Sequence, residues 1–171
     1  MRLGDITPLR HTHPWSIALE GKKVLIVHPF EETIISQYKQ REFLFEDKRM
    51  LPAFELKTLK AVQSIVGTKT EYKDWFEALD YMKGKIEAID FDIAILGCGA
   101  YGMPLAAHIK RMGKQAIHFG GETQTLFGIK GKRWEDTIYN YHNKFYNEYW
   151  VRPANTEKPQ DANKMENGAY W

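Results

Sequence analysis

A single cysteine, Cys98, among 171 residues cannot close an internal disulfide or build a cysteine-based zinc cage, a usage that fits a reducing compartment. No run reaches the ~18 to 20 consecutive apolar residues that a membrane span requires. The opening "MRLGDITPLRHTHPWS" has no apolar core of signal-peptide length, so a cytoplasmic protein without a membrane span is expected. Charge of one sign is missing too. Basic and acidic residues are interspersed to a net +2, which gives no support to a nucleic-acid or anionic-membrane surface. His11, His13 and His108 show no ligand-like spacing with His28 or His118, and no histidine metal site is expected.

What is present suits one α/β core. The chain is 43% hydrophobic, enough to fill a single domain of this length. Residues 1–21 read as a lead-in and 22–150 as the domain. Residues 151–171 form a polar tail, "RPANTEKPQDANKMENG", whose closing Tyr170 and Trp171 are expected to pack on the domain or on a partner.

"KKVLIVHPF" contains a continuous β-branched run, Val24 to Val27, the mark of a parallel strand buried on both faces. Gly21 suits the end of a short helical segment in "WSIALEG". After Pro29, Ile34, Tyr38 and Phe45 fall near helical spacing, with Glu31 and Glu32 in the first turn. A second strand is expected around Glu55 to Val62, although lysines interrupt its pattern. Thr68 and Glu71 form a capping-box pattern ahead of Trp75, Leu79, Met82, Ile86 and Ile89, which recur at helical steps. Phe91 to Leu96 reads as a strand and Met103 to Met112 as a helix with Pro104 in its first turn; "KQAIHF" is a further strand. Trp134, Ile138, Tyr141, Phe145 and Tyr149 predict a last long helix. The expected fold is a Rossmann-like parallel sheet of four to five strands with helices on both faces, a long C-terminal helix and an irregular tail.

The third βα junction spells GxGxxG: Gly97, Cys98, Gly99, Ala100, Tyr101 and Gly102. Backbone N–H groups at a helix start face an anion there, as in dinucleotide sites. The acid that should follow about 20 residues on is missing, since "KQAIHFGG" ends in histidine, phenylalanine, Gly120 and Gly121. Glu122 substitutes only if its loop folds back. Three readings stay open: a dinucleotide, a nucleotide or sugar phosphate, or glycines that only make a turn and a close helix contact.

In a parallel sheet every βα loop opens on one edge, so His28, Gln63, Ser64, the glycine turn and "GGETQTLFGIKGKRW" are expected to converge. Lys130, Lys132 and Arg133, beside Gly128 and Gly131, form a basic bend able to follow phosphate oxygens, or else a solvated charged loop. His28 ends its strand before Pro29 and reads as a base, a phosphate donor or a plain polar terminus. Cys98 within the turn is either a thiol activated by helix-start amides or, as is usual, a buried small residue. Asp90 and Asp92 spell DxD but precede their strand, on the edge opposite the glycines.

Through "GKKVLIVHPF", "ELKTLKAVQSI" and "DIAILGCGAYGMPLAAHIKRMGKQAIHFGGETQTLFGIKGKRW", the chain resembles the C-terminal part of an uncharacterised bacterial and large-virus protein family associated with surface-polysaccharide genes. That family is similar to glycosyltransferases of the D-type fold. The resemblance covers about residues 14–171 and is most specific from Gly97 to Trp134. It implies a domain that binds a nucleotide sugar and transfers the sugar to a glycan, with a divalent cation, Mn or Mg, carried by the sugar diphosphate. The D-type enzymes hold that cation on an Asp-x-Glu motif in their N-terminal half. This sequence has none, which leaves a fragment, a shortened paralogue without activity, or a half-site that a homo-oligomer or partner chain completes.

The leading expectation is therefore a nucleotide-sugar-binding domain of glycosyltransferase type. The turn and the segment from Gly120 to Arg133 cradle the diphosphate, and His28 and Glu122 contact sugar or ribose; Glu122, Glu31 and His28 are the candidate bases. Two alternatives compete. One is an NAD(P)-type oxidoreductase using Glu122 on the ribose. The other is an interaction module presenting Tyr139, Tyr146 and Trp150.

Overall fold

The computed structural model describes residues 6–64, 70–136, 138–159, 162–164 and 166–171. Four strands form one parallel sheet: β1 (Lys23–His28), β2 (Glu55–Lys60), β3 (Ile93–Leu96) and β4 (Gln115–His118), in the spatial order β2-β1-β3-β4. β1 and β3 are central, and their apolar runs are buried on both faces as a parallel sheet requires. Register decides which residues share a face. Val24 and Ile26 pair with Ile93 and Ile95, while Leu25 and Val27 pair with Ala94 and Leu96.

Leu25, Val27, Ala94 and Leu96 meet helices α3 (Trp75–Glu87) and α4 (Gly102–Arg111) through Leu79, Met82, Ile86, Leu105 and Ile109. α3 begins where Asp74 accepts the Glu77 N–H at 2.9 Å. The cap is thus Asp74, and the Thr68 of the expected capping box lies outside the described residues. α4 carries Pro104 in its first turn, where no intrahelical donor is lost, and ends at Gly113, whose φ of 78° is left-handed.

The opposite face is built differently. α1 (Glu31–Lys39) and the single turn α2 (Arg41–Leu44) cover part of it, and the rest is filled by Leu9, Leu19, Phe127, Trp134, Tyr141 and Trp150 from irregular segments. Phe45 lies past both helices in extended backbone. No side chain of its own caps α1. Instead Glu157, buried, accepts the N–H groups of Glu32 (2.7 Å) and Thr33 (3.3 Å) and the Thr33 hydroxyl, placing a carboxylate from far along the chain on the helix N-terminus.

The expected long C-terminal helix does not form. Lys132–Glu135 is one 3-10 turn and α6 (Tyr141–Lys144) one α turn. Between them Asp136 Oδ1 accepts the N–H groups of Ile138 (3.0 Å) and Tyr139 (2.9 Å), and Asn140 sits at φ 53°, so local side-chain bonds replace the helical ladder. Trp134 and Tyr141 are buried while Ile138 is 81% exposed, which no single helical stripe allows. A further short helix, α5 (Glu122–Leu126), follows β4.

Val151 bridges in parallel to Ile129, bringing the last segment back over the sheet edge. Tyr170 and Trp171 pack against the core on the α1 face. No helix among the described residues is long and apolar enough to cross a membrane.

Candidate functional site

β1 and β3 lie side by side, but the chain leaves β1 toward β2 over one face and leaves β3 toward β4 over the other. The carboxyl ends of such a pair diverge and open a crevice, the place where open α/β sheets bind ligands. A cavity of about 240 Å³ lies there. It is bounded by His28 and Phe30 after β1, Gln63 and Ser64 after β2, the glycine turn after β3, Gly121 and Gln124 around α5, and Tyr170 with Trp171. The convergence expected from the sequence therefore holds for His28, Gln63, Ser64 and the turn.

Each glycine of the turn has a separate cause. A methyl group on Gly97 would meet the His28 ring and Thr123, the latter at 2.7 Å. One on Gly102 would strike the His118 ring. Gly99 has open space beside it but a φ of 54°, the left-handed region that side chains avoid. Two of the three thus let strand-end histidines approach the backbone. The amides of Gly99 and Ala100 have no hydrogen-bond acceptor among the described residues, while the Cys98 N–H is turned toward its own sulfur. With Gly99 left-handed after Cys98 (φ −124°, ψ 36°), these successive N–H groups make the kind of concavity that binds anions. Tyr101 stacks on Trp75, ring centroids 5.1 Å apart, and its hydroxyl shares a 2.8 Å hydrogen bond with Ser64.

His28 is not the base anticipated for it. Its Nδ1 accepts the Phe30 N–H at 3.0 Å, which assigns the ring proton to Nε2. Burial holds the ring's pKa down at about 3, so the imidazole stays neutral and offers a donor rather than a lone pair. Cys98 follows the reading of a buried small residue rather than an activated thiol: burial pushes its pKa up to about 12, outweighing the lowering by its own backbone N–H.

Glu122 does not reach the crevice. Its carboxylate accepts from Trp134 Nε1 (3.0 Å), Tyr141 Oη (3.2 Å) and Thr125 Oγ1 (3.2 Å), so it is committed to holding the aromatic cluster beneath α5. Glu31, the other candidate base, is not among the pocket residues either.

The basic bend also turns away from the glycines. Lys130 donates its N–H to Val151 at 2.7 Å and sets its ammonium 5.6 Å from the Tyr146 ring, and Lys132 is exposed. Arg133 pairs with Glu166, donates to Tyr170 Oη at 3.0 Å and lies 4.8 Å over that ring. The cations hold the C-terminal segment, whose Tyr170 and Trp171 take the place by the turn that phosphate contacts by lysine would have filled. Gly121 belongs to this packing, since a methyl there would meet Tyr170 at 2.6 Å, while Gly120 turns the chain at φ 62°. Asp92 accepts the Lys23 N–H at 2.8 Å and Asp90 pairs with Lys23 Nζ, both on the opposite sheet edge.

The sequence does not single out Gln124 and Trp171 as site residues, nor Phe30, Val62 and Trp75, which also line the pocket. Gln124 lies in "ETQTLF", a polar run that is wholly buried from Thr123 to Thr125. Its only signal would have been several polar residues in a row between two apolar stretches, which reads as a loop. Trp171 lies far along the chain from the sheet and reaches the pocket through Arg133's hold on its neighbours.

No protein family, curated protein or solved structure matches this chain. The topology alone carries the fold assignment, a Rossmann-like α/β arrangement.

Proposed function

We propose that this chain binds a phosphorylated ligand of the nucleotide-sugar kind at the crevice between β1 and β3, with one phosphate on the amides of Gly99 and Ala100. The observation that carries this reading is the pair of successive acceptor-free amides, Gly99 and Ala100, opening on a switch-point cavity. The neutral Nε2–H of His28 supplies a further donor. The lining brings no carboxylate side chain and no lysine or arginine among the described residues, so charge on the ligand is met by dipoles and a single phosphate is favoured over a clamped diphosphate.

Glycosyl transfer asks for more than binding. It needs a base for the acceptor hydroxyl, and His28, Glu122 and Glu31 are respectively protonated at Nε2, engaged elsewhere and absent from the lining. In this reading a second chain brings the acidic half and any divalent cation, and this chain brings the nucleotide pocket. The dinucleotide alternative loses its ribose contact with Glu122. The interaction-module alternative loses its exposed helix, since Trp150 is buried and Tyr146 packs against the core.

Thermal unfolding in the presence of UDP, GDP, TDP and CMP sugars, NAD, NADP, sugar 1-phosphates and inorganic phosphate tests this directly. A ligand at a hundred times its dissociation constant adds about 2.7 kcal/mol. The amide resonances of Gly99 and Ala100 should move with it. Stabilisation by none of these compounds, with those two resonances fixed, would remove the proposal.

A further inference from the structure

A second cavity, of about 650 Å³, shares no lining residue with the crevice. Three irregular stretches enclose it, from Leu9 to Thr12, from Asp47 to Met50 and from Ile138 to Phe145. Its charge is one-sided: Arg10, Arg49 and Lys144 line it against a single carboxylate, Asp47. Asp47 is already answered. Arg49 donates to it from Nε at 2.8 Å and from a terminal nitrogen at 2.7 Å, and the same guanidinium reaches Thr12 O at 3.1 Å, which braces two of the walls together. Arg10 and Lys144 are left over. Neither has a carboxylate within ion-pair distance among the described residues, and both are exposed, so a ligand in the cavity can reach them.

Arg10 is held in place without being neutralised. Its guanidinium carbon lies 5.7 Å from the Tyr139 ring and 5.9 Å from the Tyr141 ring, and those rings meet at 85° with centroids 6.0 Å apart. Ring faces attract the cation yet leave most of its five N–H donors unused. The Tyr141 hydroxyl beside it gives its own proton to Glu122 at 3.2 Å, and no other acceptor engages the guanidinium among the described residues. Next to these cations the wall is apolar: Leu9 is buried, Met50 and Phe145 are half-buried, and Ile138 is 81% exposed. A bare anion would leave Ile138 and Phe145 in water. A neutral apolar molecule would draw two cations out of water with nothing to answer them. The volume suits a small molecule, whose sites run from about 300 to 1,000 Å³.

We propose that this cavity is a second binding site, for a small organic anion: an oxyanion head, carboxylate or phosphate, lies on Arg10 and Lys144, and an apolar body lies on Ile138 and Phe145. The Arg10 fork matches either head, since both present two oxygens to parallel N–H groups. The site goes beyond the crevice reading and stands or falls without it, because it meets the anion with side-chain cations where the crevice offers backbone dipoles.

Amide and methyl NMR spectra of the whole chain, titrated with phenylacetate, phenyl phosphate, phenylethanol and acetate, test it. At least one of the two aryl anions should shift Ile138, Tyr139 and Lys144 saturably, with a dissociation constant about tenfold or more below those of the neutral alcohol and of acetate, the scale of one charge-assisted hydrogen bond. Phenylacetate against phenyl phosphate separates a carboxylate ligand from a phosphate one, and either order of affinity supports the site. Arg10→Gln and Lys144→Gln, both at exposed positions, should each weaken the anion about threefold to tenfold and leave the alcohol unchanged. Arg10→Lys should restore part of the loss. If phenyl phosphate moves only Gly99 and Ala100, the crevice reading stands and this site falls. Anion binding no tighter than that of the alcohol or of acetate, or indifferent to both charge removals, also overturns the proposal, as does a spectrum that none of the four compounds changes.

Discussion

Two glycine-rich loops share the carboxyl edge of the sheet, and they are used in opposite ways. In the turn from Gly97 to Gly102, the glycines admit the rings of His28 and His118 against the backbone and leave the amides of Gly99 and Ala100 without acceptors. In the bend from Gly128 to Arg133, the glycines admit Leu44 and Trp134, and the cations turn to Glu166, Tyr146 and Tyr170. A glycine therefore marks where something comes close to the chain. Whether that is a ligand or the protein's own side chain depends on which polar groups remain unanswered afterwards.

The contrast can be broken most forcefully in the bend. Trp134 is buried, donates to Glu122 and fills the space that Gly131 leaves, so Trp134→Ala should cost about 3 to 5 kcal/mol in urea unfolding, the scale of a large core truncation. A cost below about 1 kcal/mol would mean the bend is a surface loop after all.

Next in size is the titration of His28, on the turn's side. Its pKa is about 3 when folded against about 6.5 when exposed, so the unfolded chain takes up the proton first as pH falls. The stability this ring contributes is complete above pH 6.5 and is lost toward pH 3, reaching about 3 kcal/mol at pH 4. Comparing wild type with His28→Gln at pH 7 and pH 4 isolates it, because the variant should lose that part of the acid sensitivity.

Gly97→Ala should cost about 1 to 3 kcal/mol by overpacking against His28 and Thr123, with reduced affinity for whichever nucleotide binds. The smallest effect sharpens the comparison from the other side. Lys132→Ala, exposed in the bend, should stay within about 0.5 kcal/mol in stability and leave nucleotide affinity unchanged. A large loss of affinity there would return the bend to the ligand site.

Much of the fold was legible because periodicity survives where one amphipathic element covers one face. Leu79, Met82 and Ile86 repeat on α3 as the strands repeat on β1 and β3, and those elements lie where their patterns place them. The other face has no such element. Trp134, Tyr141 and Trp150 pack singly from turns set by Asp136 and Asn140, so their spacing imitates a helix that local hydrogen bonds prevent. The crevice was legible through topology, since parallel strands aim all their following loops at one edge. Partners were not. Nothing in the order of residues tells that Glu122 answers Trp134 and Tyr141, that Arg133 holds Tyr170, or that Gln124 lies buried beneath a segment many positions later.

The lysines that blurred the second strand have their own consequence. β2 is an outer strand, paired on one side only with β1, and it carries Glu55, Lys57 and Lys60 along its length. An unpaired row of backbone donors and acceptors invites a strand from a neighbouring molecule, and charged side chains on such a border make that union unfavourable. The feature that weakened the pattern as text thus works as protection against aggregation, guarding the border that the sheet leaves open.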